Sequence, residues 1–176
     1  WVSHFGIMTF ETYDDPKKRE YILEEGIKGW QELSFVAKDF GYDSIIFEPM
    51  SVPREFGNTV EDSLYLMNRV NENCGVPMRI CLDVRHAPHP EQRDPYPWLE
   101  KLGKYSPIVH LQQTVLHKSN HWPFTKEFNE QGIIKGEKVL QALEKGGCKE
   151  TILMFELSNR EHWDSDNNTI PDTKAS

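Results

Sequence analysis

The stretch MRICLDVRH, residues 78–86, is the most informative part of this sequence, because a short apolar run ends there on an acidic side chain, Asp83. Apolar runs of this length, flanked by polar residues, are typical of buried strands. Similar β-branched, apolar runs recur along the chain and alternate with longer stretches of helical period. That alternation is typical of a parallel sheet covered by helices. We predict an α/β fold with five strands, at residues 2–8, 44–47, 78–82, 108–111 and 152–155.

Helices are predicted between these strands. The longest begins near Pro16 and ends at Gly41, and its apolar face comprises Ile22, Gly26, Trp30, Leu33, Ala37 and Phe40. A second begins after Thr59, whose hydroxyl can cap it, and buries Val60, Leu64, Met67 and Val70. Shorter helices are predicted at residues 98–102 and 136–143, the latter ended by Gly146-Gly147.

The bulk composition limits the classes of partner. The 176 residues carry a formal net charge of −8, which argues against nucleic acid and anionic membranes, because clustered lysine and arginine bind those partners. No apolar stretch approaches the roughly 20 residues of a membrane helix. Cys74, Cys81 and Cys148 show no CxxC spacing and lie in or beside apolar runs. We therefore interpret them as reduced structural thiols and expect a cytoplasmic protein.

Four of the predicted strands end on a group that can bind a hard cation. These groups are Glu48, Asp83, His110 and Glu156, separated by 35, 27 and 46 residues. Because the C-terminal ends of parallel strands lie at one rim, the four side chains are expected to converge. Three carboxylates and one imidazole suit Mn²⁺ best, then Mg²⁺ or Co²⁺; Zn²⁺ is a further option, although it more often takes nitrogen- or sulfur-rich sites.

Each of these four residues also has a purely structural interpretation. A carboxylate at a strand end often caps the next helix, and His110 could be a hydrogen-bonded core histidine. Four such coincidences in succession are harder to accept, since several uncompensated carboxylates at one rim are costly to bury without a cation. The set therefore favours a metal site.

Several of these motifs resemble one family. Glu48-Pro49-Met50, the element Asp83-Val84-Arg85-His86, His110 and Glu156 are similar to the xylose isomerase-like TIM barrel superfamily. Its members include ketose 3-epimerases, hydroxypyruvate isomerase, inosose dehydratase and AP endonucleases of the endonuclease IV type. The resemblance covers about residues 4–172 and implies a (β/α)8 TIM barrel, with residues 1–176 as a single domain.

The five predicted strands correspond to strands four to eight of that barrel. A complete barrel needs eight strands and usually about 250 residues. The chain also begins on a strand-like segment without Met and ends in PDTKAS (residues 171–176), which looks like a helix start. We therefore expect an incomplete chain that lacks the first three strands and the last helix.

The resemblance also implies a chemistry. In the epimerase and isomerase branch, residues matching Glu48, Asp83, His110 and Glu156 hold one divalent metal, and the two glutamates act as acid and base. A ketose chelated there would be acidified at the intervening C–H and would form a cis-enediolate, which carboxylates on opposite faces can deprotonate and reprotonate. We expect a divalent-metal-dependent isomerase or epimerase of sugars or sugar phosphates, with His86 binding the substrate oxygen beside the metal.

Other residues on the same predicted rim are candidates for substrate binding. Arg54, Arg85, His117 and Lys118 could bind a terminal phosphate, although any one such residue is more often an ordinary solvated charge. The family commonly has an arginine soon after the residue matching His110, whereas this sequence has LQQTVL (residues 111–116). Gln112 or Lys118 is expected to take its place. The loop at residues 112–131 is predicted to be a lid or a contact in a homo-oligomer, because long structureless loops tend to be functional; the alternative is a packed crossover loop.

Three segments point to one branch of the family. TFETYDD (residues 9–15), EPMSVPRE (48–55) and NREHW (159–163) look most like a branch associated with tetrulose phosphates in erythritol breakdown. The resemblance therefore implies a small phosphorylated ketose as one candidate substrate.

Three alternative functions share the barrel. An inosose-type dehydratase could use the same metal and the same first proton abstraction. A non-catalytic binding barrel is a second alternative, since fold does not imply function, but the intact Glu48 and Glu156 argue against it. An endonuclease IV-type enzyme would need an Asp-x-His element beyond His110, which this sequence lacks, and the acidic chain would repel DNA.

Overall fold

The structure is a computed structural model that describes residues 2–50, 52–86, 94–116 and 118–158. His117 and the segment 159–163 therefore lie outside the described residues. The elements, in chain order, are β1 (Val2–Ser3), α1 (Phe10–Asp14), α2 (Pro16–Asp39), β2 (Ile45–Phe47), α3 (Val60–Asn71), β3 (Met78–Asp83), α4 (Pro95–Leu102), a 3₁₀ turn (Gly103–Tyr105), β4 (Ile108–Leu111), α5 (Lys126–Gln131), α6 (Gly136–Lys145) and β5 (Ile152–Phe155).

The five strands form one parallel sheet whose spatial order is the sequence order, β1-β2-β3-β4-β5. Their C-terminal ends consequently lie along one rim. The register of β3 and β4 places Asp83 beside His110. The bounds of β4 and β5 are those predicted, and β2 and β3 each differ by one residue at one end.

The first strand is shorter than predicted, since it ends at Ser3 and not at residue 8. The chain leaves the sheet because it pairs instead with the loop after β2. Ile7 forms an antiparallel bridge with Glu55, and Met8 N donates to Arg54 O at 2.9 Å. The short helix α1, which follows directly, was not predicted because five residues are too few to show an apolar period.

Helix α2 begins where its sequence signals indicated. The Asp15 side chain accepts hydrogen bonds from the first-turn backbone, and Pro16 occupies the first helical position. Its buried stripe is Ile27, Trp30, Ser34 and Ala37. The prediction was wrong for Ile22 and Phe40, which are 41% and 78% exposed, because Ile22 lies off this stripe and Phe40 follows the helix end at Asp39.

Helix α3 confirms the predicted cap, since the Thr59 hydroxyl accepts from Asp62 N at 3.1 Å. Its buried residues are Val60, Ser63, Leu66, Met67 and Val70, whereas the predicted Leu64 is half-buried. Helices α4 and α6 also occur at the predicted places, each extended by two or three residues at one end.

The connection after β4 is more ordered than the predicted loop at residues 112–131. It contains α5 and an antiparallel bridge between Gln113 and Trp122. The buried Gln113 side chain forms hydrogen bonds with distant parts of this connection. Its Nε2 donates to Asn129 Oδ1 and Ile134 O, both at 2.9 Å. Its Oε1 accepts from Ile134 N at 3.0 Å. A single buried amide thus ties both ends of the connection together.

The core lies between the sheet and its helices and includes Phe47, Met78, Ile80, Leu99 and Leu102. The four residues of β5 are exposed. The cysteines form no disulfides, and Cys81 is buried whereas the other two are half-buried. Within the described residues, no helix has both the length and the apolar character needed to cross a membrane.

Candidate metal centre

The structure gathers Glu48, Asp83, His110 and Glu156 at the C-terminal rim of the sheet. Glu48 and Glu156 lie one residue beyond the ends of β2 and β5. Their backbone amides nevertheless still form hydrogen bonds with the neighbouring strands. Glu48 N donates to Ser3 O, and Glu156 N donates to Leu111 O, each at 3.0 Å. Rigid strand ends therefore position the side chains.

His110 lies between the two glutamates. Its Nδ1 is 3.1 Å from Glu48 Oε1 and also 3.1 Å from Glu156 Oε2. Contact with the Cys81 thiol, followed by the contacts with Glu156 and Glu48, raises the pKa of His110 to about 12. The His110 imidazole is therefore protonated, because the surrounding groups stabilise its positive charge.

Glu48 is a buried carboxylate in contact with two histidines. Burial by itself would raise its pKa, but the hydrogen bond with His110 and the contact with His86 outweigh this effect and lower the pKa to about 2. His86 Nδ1 lies 3.2 Å from Glu48 Oε1, and His86 Nε2 lies 3.9 Å from Asp83 Oδ1. The residue expected to bind substrate therefore lies directly against two of the expected ligands.

Asp83 has no exposed side-chain surface. Its Oδ1 accepts from Arg85 N at 2.6 Å, and Gln112 Nε2 lies 3.1 Å and 3.2 Å from the two carboxylate oxygens. Burial is the dominant influence and raises the pKa of Asp83 to about 6. An ionised Asp83 is consequently unfavourable here unless a cation approaches it.

Among the described residues, two overlapping groups of atoms could hold a metal ion. In the first, Glu48, Asp83, His86 and Glu156 each offer an atom within 4.8 Å of the others; in the second, Glu48, Cys81 and His110 do so. The sequence had predicted one set in which His110, not His86, accompanies the three carboxylates. The site residues fit a divalent cation, because three clustered carboxylates supply the negative charge and oxygen donors that such an ion requires.

Behind the carboxylates lies a pair of residues that holds the side chain of Asp83 and the backbone of Glu156. Gln112, expected to bind substrate, is fully buried and bonds Asp83, and its Oε1 accepts from His121 N at 2.9 Å. The His121 ring Nδ1 is 3.1 Å from Glu156 O. His121 was not predicted as a site residue. Its position depends on a left-handed backbone conformation (φ 51°), which the neighbouring sequence does not predict.

Two of the basic candidates on the rim, Arg54 and Arg85, donate hydrogen bonds to loop backbone. The Arg54 guanidinium donates to Met8 O and lies 4.1 Å from the centroid of the Phe10 ring. Arg85 Nε donates to Lys118 O, which also accepts from Thr114 Oγ1 at 2.6 Å. Arg54 is thus directed toward the loop after β1, and the backbone of Lys118 holds Arg85.

Glu55 is a second residue that the sequence did not single out. It is 5% exposed, and its Oε1 lies 3.5 Å from His4 Nδ1. Burial is the main influence on Glu55 and raises its pKa. Its position immediately after Arg54, in the loop that begins with Glu48, was the only available signal.

Comparison with known proteins relates this site to a family. Residues 4–175 match the model of the xylose isomerase-like TIM barrel. The chain is 36% identical over 174 residues to a D-erythrulose 1-phosphate 3-epimerase of Brucella abortus (strain 2308). That match covers 96% of the chain and 56% of the relative, so the chain spans about half of the relative's length.

Solved structures agree on the fold. A candidate xylose isomerase from Rhodospirillum rubrum ATCC 11170 superposes with a TM-score of 0.80 at 24% identity, over 94% of this chain and 56% of that one. A D-tagatose 3-epimerase-like protein superposes with a TM-score of 0.65 at 22% identity, over 87% of this chain and 54% of that one. The parallel sheet is thus part of a TIM barrel, and the chain belongs to the xylose isomerase-like TIM barrel family.

Proposed function

We propose that the protein is a divalent-metal-dependent epimerase or isomerase of ketose phosphates, in which Glu48 and Glu156 exchange a proton with the substrate. The observation that carries this proposal is the arrangement of these glutamates, which approach His110 Nδ1 at 3.1 Å each and offer carboxylate atoms within 4.8 Å of one another. Two carboxylates this close together are what proton removal and return require.

Glu48, Asp83 and Glu156, with His110 or His86, would hold the metal, for which Mn²⁺ is our first choice because the donor set is rich in carboxylate oxygen. A divalent ion at this position would polarise the substrate carbonyl and so acidify the neighbouring C–H. The rigid strand ends hold the side chains that would bind the substrate and move the proton.

The two glutamates differ in ways that suit a proton relay. Glu48 is 11% exposed and its pKa is lowered to about 2, so it is ionised at neutral pH. The side chain of Glu156 is 39% exposed, and its hydrogen bond with His110 is the main cause of its lowered pKa. Either carboxylate can therefore act as the base, and for inversion the other glutamate, protonated from solvent, returns a proton from the opposite face.

Inversion and isomerisation differ in where the proton returns. Return to the same carbon from the opposite face inverts that centre, whereas return to the adjacent carbon moves the carbonyl. His86, which contacts Glu48 and Asp83, would donate a hydrogen bond to a substrate oxygen. The relative acts on D-erythrulose 1-phosphate at carbon 3, so we propose a tetrulose phosphate as substrate and inversion beside the carbonyl as the reaction.

Proton exchange in D₂O tests this proposal directly. The full-length protein with Mn²⁺ is incubated with tetrulose phosphates and free ketoses, and mass spectrometry follows deuterium uptake. We expect one deuterium at the carbon next to the carbonyl without loss of water. Glu48→Gln and Glu156→Gln should abolish uptake, whereas Glu144→Gln, on the exposed surface of α6, should not.

Two other outcomes would contradict the proposal. Loss of water from the substrate would indicate a dehydratase that uses the same first step. No exchange with any of these ketoses and metals would indicate a non-catalytic barrel.

A further inference from the structure

Cys81 lies on the same face of β3 as the candidate ligand Asp83. The two residues are separated by one position, and alternate side chains of a strand point the same way. Cys81 has no exposed surface, so it lies beneath the carboxylates, one layer deeper in the sheet. A buried thiol with only apolar neighbours is ordinarily inert. Cys81, however, also has polar neighbours.

Two of its neighbours are themselves able to bind metals. The Cys81 sulfur, a carboxylate oxygen of Glu48 and a ring nitrogen of His110 all lie within 4.8 Å of one another, and all three residues are buried. His110 is 8% exposed, and its Nε2 is buried without a hydrogen-bond partner among the described residues. Since no hydrogen bond occupies it there, this ring nitrogen is available as a metal ligand.

The other two cysteines make a useful contrast. Cys74 Sγ donates to Asn71 O at 3.7 Å, and Cys148 Sγ donates to Glu150 O at 3.6 Å. Among the described residues, neither belongs to a group of potential metal ligands. Cys81 thus differs from them in its surroundings and not only in its burial.

We propose that Cys81, Glu48 and His110 form a second, inner metal position that takes a thiophilic divalent cation such as Zn²⁺ or Cd²⁺. Sulfur, nitrogen and one oxygen match the ligand preference of these ions, whereas the carboxylate-rich outer group suits harder ions. Binding forms a metal–sulfur and a metal–nitrogen bond as the Cys81 S–H bond and one N–H bond of the protonated His110 ring break, and both protons leave to solvent.

The inner and outer positions compete because they share Glu48. A thiophilic ion held by Cys81 withdraws this carboxylate from the group that contains Asp83 and Glu156. This consequence rests on the proposed function: the inner ion would inhibit the enzyme, although it binds only a few ångströms from the ion that activates it. The inner binding itself does not depend on what the protein catalyses.

The test is a Cd²⁺ titration of the full-length, metal-free protein, followed by the ultraviolet thiolate-to-cadmium charge-transfer absorption. The wild type, Cys74→Ser and Cys148→Ser should each show the band saturating at one equivalent. Cys81→Ser should lose the band and bind Cd²⁺ at least tenfold more weakly. Cys81→Ala is made in parallel, and circular dichroism identifies whichever variant keeps the fold.

A band that persists in a folded Cys81 variant, or that is absent from the wild type, would overturn the proposal.

Electron paramagnetic resonance of bound Mn²⁺ tests the competition between the two ions separately. One equivalent of Cd²⁺ should release Mn²⁺ from the wild type. Simultaneous full occupancy by both ions would refute a shared Glu48. A protein that shows the cadmium band but no deuterium exchange would refute the proposed catalysis alone, and the reverse result would refute the inner position alone.

Discussion

Replacing Asp83 by asparagine should stabilise the metal-free protein at neutral pH. Burial raises the pKa of Asp83 from an ordinary 3.8 to about 6, and one pKa unit corresponds to about 1.4 kcal/mol. Once Asp83 is ionised, the fold is therefore about 3 kcal/mol less stable than it would be with a neutral group at this position. Asparagine has nearly the same shape and can still accept the hydrogen bond from Arg85 N.

The effect has a definite pH dependence. Because the folded pKa lies above the ordinary value, the wild type loses stability as the pH rises from about 4 to about 6, and the deficit is constant above that range. Asp83→Asn has no such loss. Its advantage should be up to about 3 kcal/mol at pH 8 and only a small fraction of that at pH 4.

Urea unfolding in the presence of a chelator, at pH 4 and at pH 8, measures this difference. Asp43→Asn, at an exposed position before β2, is the matched control and should change stability little at either pH. Addition of Mn²⁺ should then stabilise the wild type and leave Asp83→Asn unchanged. A loss of stability in metal-free Asp83→Asn at pH 8, or an equal gain at both pH values, would refute the reasoning.

Three further predictions follow from the site and the fold. Gln112→Ala should weaken Mn²⁺ binding about 10- to 100-fold in calorimetry, because Asp83 loses the amide that holds it; unchanged affinity would disprove this positioning role. Mn²⁺ affinity should fall as the pH is lowered from 8 to 5, because protons compete for Asp83 near pH 6, and a flat profile would argue against Asp83 as a ligand. Gly57→Ala should lower the free energy of unfolding by about 2–4 kcal/mol, since φ is +81° and the added Cβ would lie 2.9 Å from Phe47 Cε2, whereas Gly41→Ala, at φ +77° in open space, should cost about 1–2 kcal/mol. Equal losses in urea unfolding would contradict the steric argument.

Much of the sheet could be predicted because its signals are local. The strands β4 and β5 are short apolar runs flanked by polar residues, and their bounds were predicted correctly. The Thr59 cap likewise depends on only four consecutive residues. The position of the candidate ligands at one rim then follows from parallel strand direction alone.

Other features depend on contacts between distant segments. The early end of β1 results from pairing with the loop after β2, about 50 residues away. His121 reaches Glu156 only through its left-handed backbone. Cys81 is a different case, because its spacing from Asp83 already placed the two side chains on one face. The sequence carried that signal, but the apolar neighbours of Cys81 favoured a structural interpretation.

The hydrogen bonds of Gln113 within the connection after β4 affect the entropy cost of ligand binding. A flexible lid must lose conformational entropy each time it closes, and that loss weakens binding. Here the buried amide of Gln113 bonds both Asn129 and Ile134, so folding has already ordered the connection. Amides near its two ends should consequently exchange slowly with solvent whether or not a sugar is bound, and the association rate should reflect diffusion to a preformed surface and not a loop rearrangement.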